Sequence, residues 1–168
     1  MKGILIPQFF LFLVLVLISS CTKEDDLSIK RNISYSTVVK SQSFNLGNES
    51  GIGEFIKAEI GAKLGKVIDV SFNEHYDKEG KFYLVKGVHV VEDQATTVTI
   101  SLIESKANSN SFDEGIIMLS SDCTMTCTMK SGCNKCTQTI IERCVSQTCE
   151  CSGYGTCESS ISFGGPEQ

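Results

Sequence analysis

Residues 66–102 read KVIDVSFNEHYDKEGKFYLVKGVHVVEDQATTVTISL, and the period of this stretch decides the fold. Ile68, Val70 and Phe72 alternate with Asp69, Ser71 and Asn73 as far as Tyr76; Asp77-Lys78-Glu79-Gly80 interrupts, and Lys81-Phe82-Tyr83-Leu84-Val85 resumes. A period of two sends successive side chains to opposite faces of a strand. The two runs predict a β-hairpin, with Gly80 supplying the positive φ that closes its turn. After a second turn at Glu92-Asp93-Gln94, Thr96, Val98, Ile100 and Leu102 alternate with Thr97, Thr99 and Ser101, which predicts a third antiparallel strand.

Upstream the period changes. Ile52, Phe55, Ile56, Ile60 and Leu64 stand at i, i+3, i+4, i+8 and i+12, the stripe of an amphipathic helix. The spacing predicts a helix from about Gly51 to Leu64, capped by Asn48 or Ser50, ended at Gly65, and carrying Glu59 and Lys63 as an i,i+4 pair on its wet face. Before it, Ile33, Tyr35 and Thr37 alternate with Ser34 and Ser36, which predicts one short strand. The fold expected for residues 33–104 is α+β: one helix packed on a three- to four-stranded antiparallel meander. The order of elements is similar to that of the cystatins. The Gln-x-Val-x-Gly loop with which cystatins plug proteases is absent, so the resemblance is topological and carries no function.

Residues 105–114, SKANSNSFDE, form a polar linker, and Gly115 to Leu119 is expected to return to the sheet as a last strand. Residues 115–168 differ sharply in composition. Eight of the nine cysteines lie here, at Cys123, Cys127, Cys133, Cys136, Cys144, Cys149, Cys151 and Cys157, while residues 27–122 hold none. So few other apolar residues cannot hold such a stretch by burial, so its sulfurs must cross-link or bind metal. Cys133, Cys136, Ile140 and Cys144 follow i, i+3, i+7 and i+11, and Cys123 with Cys127 follows i and i+4. A short helix over about 134–144 is expected from this spacing.

The chain begins MKGILIPQFFLFLVLVLISSCTKEDD, with Lys2 before an apolar run from Ile4 to Ile18. About fifteen apolar residues fall short of the roughly twenty needed to span a bilayer, and the pattern is that of a secretory signal peptide. Ile18-Ser19-Ser20-Cys21 resembles the bacterial lipobox, which implies cleavage after residue 20 and a lipidated Cys21. Lys23-Glu24-Asp25-Asp26 resembles the acidic export signal of surface lipoproteins of Bacteroidota-type bacteria. These resemblances imply a signal peptide over 1–20, a lipidated and flexible acidic tether over 21–32, and an outer-membrane address facing the exterior. Several acyl chains on one residue anchor a protein stably.

With Lys2 removed, 14 Lys and Arg stand against 20 Asp and Glu, leaving the mature chain at −6. That balance lacks the basic footprint of a nucleic-acid binder, so the expected partners are the membrane, through the lipid, and other envelope or extracellular proteins. His75 and His89 fall at opposite ends of the predicted hairpin, about 20 Å apart at roughly 3.3 Å per residue, too far for one metal. Gly-x-Ser-x-Gly, phosphate-loop and His-Glu-x-x-His motifs are absent, and the chain is read as a non-enzyme with no cofactor. Export and the even cysteine count after lipidation favour four disulfides, in any of 105 connectivities. Two other uses of the thiols stay open. Cys133/Cys136 and Cys149/Cys151 have spacings suited to a zinc or iron–sulfur site, and Cys133 with Cys136 is also spaced as a thiol-oxidoreductase pair.

Overall fold

The computed structural model describes residues 34–105, 116–144 and 146–164. The signal peptide, Cys21, the acidic tether and nearly all of the polar linker lie outside the described residues. The strands are β1 (Ser34–Val39), β2 (Gln42–Asn45), β3 (Lys66–Asp77), β4 (Gly80–Val91), β5 (Gln94–Glu104), β6 (Ile116–Met129), β7 (Cys133–Glu142), β8 (Ser146–Gly153) and β9 (Cys157–Phe163). One helix, α1 (Glu49–Glu59), interrupts them after β2.

The expected helix on a small antiparallel meander is overturned. The fold is mostly β, built on a mixed sheet in the order β2-β1-β6-β5-β4-β3, with β9 also paired to β6. The β3-β4-β5 meander is present, with Asp77 paired to Gly80 and Val91 to Gln94 across its two turns. The sheet grows beyond it because β6 is fourteen residues long and uses both edges. One edge takes β5 antiparallel; the other takes β1 parallel along Ile116–Leu119 and β9 antiparallel along Cys123–Met129. The sheet curls: Tyr35 on β1 meets Phe72 on β3 at 5.0 Å and Tyr83 on β4 at 5.2 Å between ring centroids.

The β1–β2 hairpin turns through Lys40 and Ser41, both at positive φ (48° and 67°). That pair of left-handed residues gives the twist a two-residue hairpin needs, in a sequence without the usual Asn or Gly.

Helix α1 is capped as its residues dictate. The Asn48 side chain accepts a hydrogen bond from the Gly51 N–H at 2.8 Å. Its end comes earlier than the stripe predicts. Gly61 adopts φ +67°, its N–H donates to the Ala58 carbonyl, and the Ala62 N–H donates to the Lys57 carbonyl, the paired bonds of a Schellman stop. Leu64 therefore lies beyond the helix and is 74% exposed. Glu59 makes no helical pair with Lys63; its carboxylate accepts from the hydroxyls of Ser121 at 2.8 Å and Thr124 at 3.0 Å, pinning the helix end to β6.

Ile52, Phe55 and Ile56 of α1 pack on Phe44, Leu46, Tyr83, Val85, Val98, Ile100, Leu102 and Leu119. Fully burying one such side chain contributes about 1.5–3 kcal/mol, so this inner face carries most of the fold's stability. The opposite face of β5 is buried as well: Thr97, Thr99 and Ser101 are as enclosed as Val98, Ile100 and Leu102. A second sheet, the β7–β8 hairpin, covers that outer face. The Thr99 hydroxyl donates to Gln138 Oε1 at 2.7 Å, and the Thr97 hydroxyl donates to the Cys136 carbonyl at 3.4 Å. The buried Thr97 and Thr99 hydroxyls are thereby satisfied across the layer, as burial away from water favours.

The helix expected over 134–144 is strand β7. Cys136, Gln138 and Ile140 face inward at a period of two, paired opposite Cys151, Cys149 and Gln147. Register shifts between Cys133 and Cys136 and between Ile140 and Glu142 bring Cys133 to the same face, and Cys144 follows at φ +56°. Two bulges thus convert a strand into an apparent helical spacing.

Candidate functional site

The cysteine region is the chemically distinctive part of the molecule. In β6, Cys123, Met125 and Cys127 lie on the outer face, opposite Ser101, Thr99 and Thr97 of β5. Four disulfides join this face, the β7–β8 hairpin and β9: Cys123–Cys144, Cys127–Cys149, Cys133–Cys151 and Cys136–Cys157. All eight predicted cysteines are therefore used, and the region is a disulfide-stapled layer. Each bridge closes a span of 18 to 22 residues, for which restriction of the unfolded chain is worth about 3 kcal/mol.

The two close-spaced pairs are split between bridges. Cys133 and Cys136 bond to different partners, as do Cys149 and Cys151. The i and i+4 spacing of Cys123 and Cys127 belongs to a strand, with Thr124 and Thr126 pointing to the other face.

The sulfurs fall into two groups. Cys123 and Cys144 pack with Met125 and Ile140. The other six cysteines pack with Met129. Within the larger group, Cys133 Sγ lies 3.5 Å from Cys157 Sγ and 3.7 Å from Cys136 Sγ, so the Cys133–Cys151 and Cys136–Cys157 bridges touch. The sulfurs of Cys133, Cys136 and Cys157 lie within 4.8 Å of one another, as do those of Cys127, Cys149 and Cys157. Bonded as disulfides they offer no thiolate, the form that binds metal.

Beside Cys144, Arg143 forms a latch that sequence reasoning missed. Its guanidinium donates to Asp77 Oδ1 at 3.1 Å and to the Gly80 carbonyl at 3.3 Å, and stands 4.8 Å above the Phe82 ring. The β7–β8 turn is thereby tied to the β3–β4 turn by a partly buried ion pair and a cation–π contact. Asp77 and Glu79, read only as turn residues, supply its acidic partners. Nothing in the local sequence pairs Arg143 with residues more than sixty positions away.

The histidines stay apart. His75 stacks on Phe82 near one end of the β3–β4 hairpin, while His89 lies near the other, opposite Val67, with Nε2 2.9 Å from the Leu64 carbonyl. Among the described residues, Lys81, Tyr83 and Glu104 form the most perturbed ionisable group: Lys81 Nζ lies 3.0 Å from Glu104, and the Tyr83 hydroxyl donates to the same carboxylate at 3.1 Å. Burial pushes the Tyr83 phenol up to about 12. Hydrogen bonds from Lys81 hold the Glu104 carboxyl below its ordinary range, while those to Tyr83 and Glu104 raise the Lys81 ammonium. Because Glu104 is depressed on folding, its contribution to stability is present at neutral pH and is lost as pH falls through its folded value. These groups lace β4 to β5.

One open recess lies between the β4–β5 and β6–β7 turns, bordered by Glu92, Asp93, Met129, Lys130 and Cys133. Among the described residues, no helix is long and apolar enough to cross a membrane. No protein-family model, curated protein or solved structure matches the chain significantly.

Proposed function

We propose that this chain is a non-catalytic, lipid-anchored protein of the bacterial outer membrane, facing the exterior, and that its disulfide-stapled region serves as a binding or envelope-assembly module. The observation that carries the reading is the pairing of an N-terminal lipobox, Ile18 to Cys21, with four disulfides joining β6, the β7–β8 hairpin and β9. Such bridges form and persist in oxidising compartments outside the cytosol. A cross-linked layer over a central strand, β5, that is buried on both faces resists local opening, the property an exposed protein needs against proteases.

Fractionation tests the anchor and its direction together. Cys21→Ala is expected to leave the protein unprocessed or released from membranes, and replacement of Lys23, Glu24, Asp25 and Asp26 by Ala is expected to keep it anchored but hide it from protease added to intact cells. A processed, membrane-bound Cys21→Ala protein would remove the lipid anchor from the account. Unchanged surface cleavage of the second variant would remove the export signal.

A further inference from the structure

We propose that the flank of the outer face formed by β1, β9 and the first residues of β6 is the surface on which the domain rests against a phospholipid bilayer, its exposed apolar side chains entering the headgroup boundary. The inference rests on the lipid anchor proposed above, and not on which side of the outer membrane the chain faces.

The first observation is that four exposed apolar side chains share one face. Tyr35, Val39, Ile117 and Leu119 pack into the core, so strand alternation turns Val38 and Ile116 to the opposite, outer face. Cys123 and Met125 lie on that outer face, and Phe163 and Ile161 of β9 are paired directly opposite them, which places their side chains on it too. β1 and β9 occupy successive lengths of one edge of β6, β1 along Ile116–Leu119 and β9 along Cys123–Met129. The four residues therefore form a row along that flank. The β7–β8 hairpin leaves the row open: Val38 is 47% exposed, Ile116 46%, Ile161 37% and Phe163 71%. Single exposed apolar residues are ordinary, whereas a row on one face marks an interaction surface.

The second observation is the absence of charge along the row. Ser34–Val39, Ile116–Ser121 and Ser159–Phe163 contain no Lys, Arg, Asp or Glu, in a chain that carries 15 basic and 20 acidic residues. The outer-face neighbours of the apolar side chains are hydroxyls, Ser34 and Ser36 on β1 and Ser159 on β9. Contact with lipid removes water from what it covers, and removing it from a charge costs far more than from an apolar or hydroxyl group. A protein partner is ordinarily met with complementary charge, and these three segments offer none, which favours lipid. The depth is limited. β9 is hydrogen-bonded to β6 alone among the described strands, and an open strand edge does not enter hydrocarbon, so side chains and not backbone are inserted.

The third observation is where the row begins. Ser34 is paired opposite Ile116, so the row starts where the chain leading from Cys21 joins the sheet. Thirteen peptide steps separate Cys21 from Ser34, and at 3.3–3.6 Å each they hold that end within about 45 Å of the acyl chains. Confinement to such a radius amounts to an effective concentration on the order of millimolar. Four side chains too few to bind a bilayer from solution are then enough to keep the domain down on it.

The test uses the full-length lipidated protein in vesicles of phosphatidylethanolamine and phosphatidylglycerol, made with and without brominated acyl chains. The chain contains no tryptophan, so Phe163→Trp and Ile116→Trp each introduce a single fluorescent reporter. Both are expected to emit at shorter wavelength than in detergent-free solution and to be quenched about twofold or more by the brominated lipid. Leu64→Trp, exposed beyond the end of α1, is expected to lose less than about a fifth of its emission. Val38→Ser with Ile161→Ser is expected to remove at least about half of the quenching at Phe163→Trp, since the row inserts as a unit. Unquenched reporters in a vesicle-bound, lipidated chain would overturn the proposal, as would equal quenching at Leu64→Trp. A shift to shorter wavelength without quenching, accompanied by a doubled mass in light scattering, would overturn it by showing a second copy on the row. Intact mass is measured first: a chain without acyl mass on Cys21 overturns the anchor and this inference together, whereas a lipidated chain with unquenched reporters overturns this inference alone.

Discussion

Phe55→Ala is expected to cost about 3–5 kcal/mol of folding stability, the range for truncating a fully buried aromatic side chain. Phe55 has no exposed surface; it lies with Phe44 at 6.0 Å between ring centroids and anchors α1 in the core formed with Tyr83, Val85, Val98, Ile100 and Leu102. The helix has only eleven residues and two internal glycines, Gly51 and Gly53, too short and too weak a helix former to hold itself. Its stability comes from this contact, so the loss should appear in denaturant unfolding as a lower midpoint together with loss of helical signal. A cost below about 1 kcal/mol would show that the helix is not seated on the curled sheet as described.

The second large effect is expected on removing the Cys123–Cys144 bridge by replacing both residues with Ala. The bridge closes a span of 21 residues, worth about 3 kcal/mol, and both sulfurs are buried beside Met125. It also positions Arg143, the residue before Cys144, over Phe82 and against Asp77. Once it is gone the β7–β8 turn should lift from the β3–β4 turn, and protease should cut between residues 130 and 156 well before the main sheet unfolds. The remaining three bridges should still form, by mass. Unfolding and cleavage as slow as in the unaltered chain would show that the latch and the bridge do not hold this layer.

The β3-β4-β5 meander was legible because three strands of clear alternation are joined by turns of four residues or fewer. The helix was legible in its stripe, but its end was not: both Gly61 and Gly65 take positive φ, and the first of them already stops it. Two features hid the rest of the sheet. Lys40 and Ser41 turn β1 into β2 without turn-type residues, and the parallel pairing of β1 with β6 joins segments some eighty residues apart, for which a local pattern carries no signal. Thr97, Thr99 and Ser101 carry polar side chains that give no local sign of burial; they are buried because the β7–β8 layer covers them, taking hydrogen bonds from Thr97 and Thr99.

In the cysteine region the residues and their cross-linked state were legible, and the local structure was not. Thr124-Met125-Thr126-Cys127-Thr128-Met129 alternates like a strand, and its cysteines at i and i+4 fit that period as well as a helical one. In β7 the bulges at Cys133–Cys136 and Ile140–Glu142 produced a helical misreading. Cysteine spacing reports which sulfurs reach one face and not the period of the backbone beneath them. Connectivity was not legible, because it depends on β9 returning to β6 beside the β7–β8 hairpin.

The most direct test of the account is disulfide mapping of the full-length protein, purified without reductant and digested after its remaining thiols are blocked, alongside intact mass before and after reduction. Reduction is expected to add eight hydrogens, and the digest to yield four cross-linked peptide pairs, Cys123–Cys144, Cys127–Cys149, Cys133–Cys151 and Cys136–Cys157. A bridge within Cys133-Asn134-Lys135-Cys136, one between Cys149 and Cys151, or free thiols among these eight would contradict the stapled second layer on which the account stands.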